Sequence, residues 1–194
     1  MGPVARIMAG RGKGRRLRSP KGLATRPTGS RVKQTLFDIL APELPGSRFL
    51  DAFAGSGGIG LEALSRGAAR AVLVDASGPA VDAIRANARA LDEAGGEVQI
   101  FRQDARIALA ALADQGVRFD IIYLDPPYAS ELYEALLEQV ASTGLLDSPR
   151  VAVAEHFHKR ALPDTIGGLV RTRSVRVGDH RLSFYRRREP GRTE

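Results

Sequence analysis

The stretch FLDAFAGSGGIGLEALSRG, from Phe49 to Gly67, decides the fold. Its apolar start, Phe49 and Leu50, runs into a carboxylate at Asp51. Gly55-Ser56-Gly57-Gly58-Ile59-Gly60 follows, and an apolar-periodic segment then closes at Gly67. Strand, glycine turn and helix in that order mark the place in an α/β fold where backbone approaches a nucleotide-like ligand. The G-x-G-x-x-G spacing alone fits a purely structural tight turn as well. Asp51 shifts the reading. A dinucleotide brings its pyrophosphate to such a turn, and a carboxylate beside it repels phosphate. A ligand carrying positive charge is favoured there, and S-adenosylmethionine is such a ligand.

Working outward, 194 residues with 43% hydrophobic content imply one domain around one core, with a short appendage. The absence of cysteine excludes disulfides and thiolate chemistry. Three histidines, His156, His158 and His180, offer no recognisable metal spacing, so no metal is expected. Glu155-His156-x-His158 reads instead as a partly exposed strand end. No apolar run approaches the ~18 residues of a membrane span. No apolar stretch follows the basic N-terminus as in a secretory signal, so a cytoplasmic protein is the expectation.

The net charge of +7 is unevenly spread. Before Asp38 there are ten Lys/Arg and no acidic residue; from Asp38 to His156, nine basic and eighteen acidic; beyond that, ten and four. Basic ends around an acidic middle are the footprint of a polyanion-binding protein, with nucleic acid the expected partner. Solvated basic tails are the plainer alternative.

Residues 1–28 form the expected basic arm, a β-hairpin in which Val4, Ile7, Leu17 and Leu23 pair as strands. Arg6, Lys13, Arg15, Arg16, Arg18 and Arg26, with Arg31 just beyond, are its candidate nucleic-acid contacts. The remainder, 29–194, is the expected catalytic domain. SRVKQTLFDIL has Val32, Leu36, Ile39 and Leu40 on one helical face, Pro42 to stop it, and Ser30 or Thr28 to cap it. This helix should pack across the open end of the ligand cleft. Strands are predicted at 70–75, 98–101, 119–124 and 150–154. Helices lie between them, and a terminal antiparallel pair spans about 169–177 and 181–187. Alternating β and α elements imply a parallel sheet covered on both faces. Asp75, twenty residues after Gly55, is placed to accept ribose hydroxyls. Asp104, after the third strand, suits either the adenine amine or a helix N-cap.

The fourth strand ends in Asp125-Pro126-Pro127-Tyr128. The two prolines carry no N–H, so this turn presents carbonyls and a carboxylate but no backbone donors from the prolines. Such a pocket suits an amino group on a nucleobase, whose lone pair is delocalised into the ring. Two acceptors holding its N–H bonds draw that nitrogen toward tetrahedral geometry, while Tyr128 offers a face for a flipped base. A plain βα turn stiffened by prolines is the alternative.

Asp-Pro-Pro-Tyr resembles the (Asp/Asn)-Pro-Pro-(Tyr/Phe) motif of S-adenosylmethionine-dependent amino-methyltransferases. With RIMAGRGKGRRL, RPTGSRVKQTLFDIL and LDAFAGSGGIGLEALSRGA in the same order, the chain is similar to bacterial methyltransferases acting on a guanine N2 amine of 16S ribosomal RNA. The likeness covers nearly the whole chain and weakens after Tyr128. Ser30 departs from it, standing where that family usually has Asp. The resemblance implies a Rossmann-like class I methyltransferase fold: a mostly parallel seven-stranded sheet with a C-terminal antiparallel pair and an N-terminal basic hairpin. It places Asp51, Gly55 and Gly57 at the methionine part of S-adenosyl-L-methionine, Asp75 at its ribose and Asp104 at its adenine. Phe53, Ala54, Ala76 and Ala105 complete that cofactor lining. Asp125, Pro126, Pro127 and Tyr128 fall at the target base. Asp125 would orient the amine and take its proton late, an ionised carboxylate being a weak base. The implied protein is a monomer acting on ribosomal RNA within a small-subunit particle.

Other readings share parts of this pattern. An adenine-N6 methyltransferase or a protein glutamine methyltransferase shares the cofactor turn, although the latter motif usually begins with Asn. A nicotinamide-dependent dehydrogenase leaves Asp51 unexplained. A non-catalytic RNA-binding module leaves the acceptor pocket idle.

Overall fold

The computed structural model describes residues 5–20, 29–91, 96–127 and 132–188. Within them the alternation of amphipathic segments and apolar runs produces five helix-strand units in sequence. The helices are α1 (Ser30–Leu40), α2 (Gly60–Ser65), α3 (Gly78–Ala90), α4 (Ala105–Asp114) and α5 (Leu132–Thr143). The parallel strands are β1 (Arg48–Asp51), β2 (Arg70–Asp75), β3 (Glu97–Arg102), β4 (Phe119–Leu124) and β5 (Leu146–Phe157). β6 (Thr165–Ile166), β7 (Leu169–Val177) and β8 (His180–Arg187) complete one sheet in the order β3-β2-β1-β4-β5-β8-β7-β6. The last three join by antiparallel pairing.

The sheet thus has eight strands where seven were expected. The addition is β6, two residues that pair only with β7 after Pro163 and before the Gly167-Gly168 turn. It is too short to carry an alternating pattern. β5 also begins four residues earlier than its apolar core suggests, because polar Asp147 and Arg150 sit in its first half.

The order reverses at β1 and β4, and there the two strands lie side by side in parallel, Asp51 opposite Tyr123. A crevice opens outside the carboxyl ends of strands at such a switch point. Both faces are sealed. Phe49, Leu73, Ile121, Tyr123 and Val153 join Val32, Leu36, Phe37 and Ile84 in one core. Leu50, Val72, Ile122, Leu124 and Ala152 join Leu109, Leu112, Leu136 and Val140 in the other. All six residues of β4 are buried, as a central strand covered on both faces requires. Each fully buried Leu or Phe contributes about 1.5–3 kcal/mol.

α1 lies on the first face and touches β7 and β8. Its buried stripe is Val32, Lys33, Leu36, Phe37 and Leu40, so Ile39 is displaced by Phe37, which stacks on Phe49 at 6.5 Å. The N-cap is Gly29, without any side-chain cap bond; Ser30 is the first helical residue and Thr28 lies outside the described residues. Lys33 is buried because it ion-pairs with Glu62 of α2 at 2.7 Å. Burial lowers the Lys33 pKa, and Glu62 opposes that shift.

The described part of the arm is a short hairpin docked on the domain: Leu17 N–H bonds to the Ala5 carbonyl, Ile7 N–H to the Arg15 carbonyl and Gly14 N–H to the Ile7 carbonyl. Arg6 and Arg16 form the antiparallel bridge between its two sides. Ile7 and Leu17 are buried in the core, while Val4, Leu23 and Arg26 lie outside the described residues. What fixes the arm is α2. The Glu62 carboxylate accepts the N–H groups of Met8 at 2.8 Å and Ala9 at 3.0 Å. Ser65 accepts from Gly12 N–H through its hydroxyl, and its backbone carbonyl accepts from Arg11 N–H.

Gly10 (φ +79°) sits so close to α2 that a Cβ there would lie 1.7 Å from the Ser65 carbonyl oxygen. Gly10→Ala therefore forces the arm off α2. We expect amide exchange to accelerate at Met8, Ala9 and Gly12 while β1 and β4 stay protected. The melting temperature should fall by roughly 2–8 °C, for a loss of about 1–2 kcal/mol.

Candidate active site

β1 ends at Asp51, and the chain turns at once. Ala52 N–H bonds back to the Tyr123 carbonyl of β4 and Ala54 N–H to the Val74 carbonyl of β2. The turn is thereby pinned to both neighbours of β1. Gly57 N–H closes it on the Ala54 carbonyl at 2.6 Å, and α2 begins at Gly60. Asp51 is 1% exposed. One of its oxygens accepts the Gly60 N–H at 3.0 Å; the other, Oδ1, is buried with no hydrogen-bond partner. Burial, opposed by the backbone bonds and aided by the charges of Asp75 and Glu155, raises its pKa to about 7.

Asp75, at the end of β2, reaches the same turn. Its carboxylate accepts from Gly55 N–H and from Ser77 N–H, both at 2.8 Å. Gly55 has φ +55°, and the space where its Cβ would stand is open to 4 Å. A left-handed backbone facing open space, with a carboxylate on each side, is a cradle that a side chain would fill. Phe53 is half-buried and Ala54 buried along this turn, and Ala76 is exposed just beyond Asp75. Asp104 accepts from Arg106 N–H at 2.9 Å as the N-cap of α4, with Ala105 buried behind it. Its capping role is realised, and its second oxygen remains for a ligand.

β4 delivers the third carboxylate. Asp125 follows Leu124 at the same carboxyl edge as Asp51, Pro126 is buried, and Pro127 is exposed. Tyr133 of α5 donates to the Pro126 carbonyl at 3.2 Å, so one of the two lone pairs expected for a substrate amine is already used. Tyr128 lies outside the described residues. Burial, together with the charges of Glu155 and Asp51, holds the Asp125 pKa well above the usual carboxylate range. That changes the expected chemistry. Asp125 is a stronger base than an ordinary carboxylate once ionised, and an opposite charge nearby favours that ionised form.

Three groups near this edge escaped the sequence reading. Glu155, wholly buried in β5, is bonded by the Tyr123 hydroxyl and by His180 Nδ1, the latter at 2.5 Å. Asn87 of α3 donates to the Ser56 carbonyl at 2.8 Å and to the Arg18 carbonyl at 3.0 Å, and it accepts Arg18 N–H. It thus ties the arm to the glycine turn. His156 is not at an exposed strand end: it is fully buried, bonded to Ser183 at 2.9 Å, with its pKa lowered by burial. No three His, Cys, Asp or Glu among the described residues converge as metal ligands.

Of the candidate nucleic-acid contacts, Arg6, Lys13, Arg16, Arg18 and Arg31 are exposed and Arg15 is half-buried. No helix among the described residues is long and apolar enough to cross a membrane.

The fit to S-adenosyl-L-methionine is favourable on three counts: an orphaned buried carboxylate oxygen at Asp51, the open space at Gly55, and a second carboxylate, Asp75, on the same turn. Comparison with known proteins agrees. The family model described as Conserved hypothetical protein 95 matches residues 5–186. A Bacillus subtilis relative named "Putative rRNA methyltransferase YlbH" is 39% identical over 183 residues, 94% of this chain and 99% of the relative. The Ribosomal RNA small subunit methyltransferase D of Escherichia coli K12 is 31% identical over 189 residues, 97% of this chain and 93% of the relative. The solved E. coli structure titled "Putative methyltransferase yhhF" superposes with a TM-score of 0.81 at 34% identity, covering 94% of this chain and 97% of that one. The chain belongs to the Conserved hypothetical protein 95 family, that of the ribosomal RNA small subunit methyltransferases D.

Proposed function

We propose that this chain methylates the exocyclic N2 amine of a guanine in small-subunit ribosomal RNA, with S-adenosyl-L-methionine as methyl donor. The observation that carries the reading is the placement of Asp51 and Asp125 at the carboxyl ends of the adjacent strands β1 and β4, a carboxylate for the cofactor side and one for the substrate side of a single crevice. When bound, the sulfonium supplies an electrophilic methyl group and a positive charge. Asp51, Phe53, Ala54, Gly55 and Gly57 hold its methionine part. Asp75, Ala76, Asp104 and Ala105 hold its adenosine. Asp125 and the free lone pair of the Pro126 carbonyl accept the two N–H bonds of the guanine amine and aim its lone pair into the crevice. Asp125 then takes the proton that the methylated nitrogen sheds. Positioning and electrostatics do the catalysis. Pro127 and Tyr128 complete the base pocket, and the arm grips the phosphate backbone of ribosomal RNA, within a small-subunit particle. The protein is read as a cytoplasmic monomer that needs no metal.

The deciding experiment incubates the protein with labelled S-adenosylmethionine and unmodified small-subunit RNA or particles, then maps the modified base. Label on a guanine N2 supports the reading; label on adenine N6, or none, removes it. Asp125→Ala should keep cofactor affinity within a few-fold while turnover falls by two orders of magnitude or more, about 2.7 kcal/mol.

Asp51 gives a prediction of opposite signs. Its folded pKa, about 7, lies above the ordinary 3.8, so it disfavours the folded state increasingly as pH rises from about 4 through 7. Asp51→Asn removes that penalty. The ligand-free variant should melt roughly 2–6 °C higher at about pH 8, show less gain at about pH 4, and lose most of its affinity for S-adenosylmethionine.

Arg16 and Arg18 are exposed on the arm, with Arg15 half-buried between Gly14 and Arg16. Replacing all three by Gln should weaken RNA binding and lower the slope of log affinity against log salt by about 0.7–0.9 per phosphate contact removed. Cofactor titration should be unchanged within twofold. Wild-type RNA affinity and slope in the triple variant would show that the arm does not hold RNA.

A further inference from the structure

Glu155 is the one buried carboxylate at the catalytic edge to which the mechanism above gives no task. It stands in the otherwise apolar run Val151-Ala152-Val153-Ala154 and has no exposed surface. Tyr123 Oη donates to one of its oxygens and His180 Nδ1 lies at 2.5 Å from the other.

Register explains its reach. Tyr123 of β4 is paired with Asp51 on one side and Val153 on the other. Glu155 lies two residues beyond Val153 and so continues the face on which Tyr123 stands, while Asp125 directly follows β4, within reach of the charges of Glu155 and Asp51. Adjacent strands lie about 4.8 Å apart, so three carboxylates sit within a span of about 10 Å, Asp51 and Glu155 buried and Asp125 half-buried.

The groups facing this cluster leave it short of positive charge. The charges acting on Asp125 are those of Glu155 and Asp51; on Asp51, those of Asp75 and Glu155. α1 turns Val32, Leu36 and Phe37 to this face, and its buried Lys33 is committed to Glu62. β8 contributes His180, Leu182 and Phe184. His180 is the basic group in direct contact.

We propose that Glu155 is a positioning residue that sets the charge of this edge, so that the cleft prefers the positively charged sulfonium cofactor over its neutral thioether product, and does so increasingly as pH rises. The inference rests on the cofactor reading above and concerns its regulation. S-adenosylmethionine and S-adenosylhomocysteine share the adenosine, amino and carboxyl groups, so the ratio of their affinities isolates the charge on sulfur. Where the edge is deprotonated, the sulfonium relieves three crowded carboxylates and the thioether does not. As pH falls, protons compensate the same charge, and the sulfonium must displace them. Demethylated product therefore leaves a site that its precursor is held in.

Calorimetric titration of the full chain with each ligand, from about pH 5.5 to about pH 8, tests this. The affinity ratio favouring the sulfonium should rise about fivefold or more across the range. In Glu155→Gln the ratio at the upper end should drop at least threefold, and its rise should move to lower pH, because Asp51 and Asp125 lose a repelling neighbour. His180→Gln should keep the wild-type rise. A wild-type ratio constant within twofold overturns the proposal without any variant. Loss of the rise in His180→Gln assigns the effect to the histidine and equally overturns it. If neither ligand binds at any pH, the cofactor reading falls and this inference with it.

Discussion

Parallel pairing obliges β1, β2, β4 and β5 to finish at one edge of the sheet; the first three finish on or next to a carboxylate, and β5 carries Glu155 two residues before its end. Asp51, Asp75, Asp125 and Glu155 are brought together by register alone. Crowding like charges out of water is unfavourable, and the raised pKa values of Asp51 and Asp125 record that cost. The fold absorbs it through two sealed cores and a wholly buried β4. The consequence is chemical. An edge that repels phosphate and welcomes a cation selects a sulfonium over a dinucleotide before any shape is considered.

The second constraint is Glu62, a buried carboxylate fully committed to structure. It gathers Met8, Ala9, Lys33 and Arg66 around one point on α2. Breaking such a buried pair by removing one partner leaves an uncompensated charge, typically 3–5 kcal/mol. The arm, α1 and α2 therefore move as one. Because α2 follows directly from the glycine turn, and Asn87 bridges Ser56 to Arg18, the surface that carries the arm's cations is mechanically continuous with the cofactor cradle. A displaced arm would disturb the turn through two separate sets of bonds.

Much of this was legible in the sequence, for reasons that differ by residue. The four βα units announce themselves because buried parallel strands are continuous apolar runs, and Asp51, Asp75 and Asp125 stand out where those runs stop. Glu155 was legible as an anomaly, a carboxylate inside β5, but its partners Tyr123 and His180 are 32 and 25 residues away and no local pattern links them. Asn87 and Glu62 were hidden for the opposite reason. Each occupies an ordinary helical position, and only the docked arm, more than fifty residues earlier, gives it a task. β6 and the Gly29 cap escaped because two residues or one make no period.

Basic residues are exposed on the arm while the crevice is acidic, and this division bears on how RNA can enter. A polyanion drawn to Arg6, Arg16 and Arg18 meets rising negative potential toward Asp51, Asp125 and Glu155. Its phosphates are attracted at the rim and repelled from the crevice. A nucleobase carries no net charge, and its amino group is a donor facing acceptors. The field therefore favours a nucleotide whose base points inward and whose backbone stays outside, which is the geometry of a flipped base. Under the proposed function, stacking energy lost on flipping would be offset where the backbone remains on the arm, so affinity and selectivity would be carried by different ends of the same nucleotide. On this account the acidic middle and basic ends of the chain are one device. The ends concentrate the polymer, and the middle admits only its uncharged part.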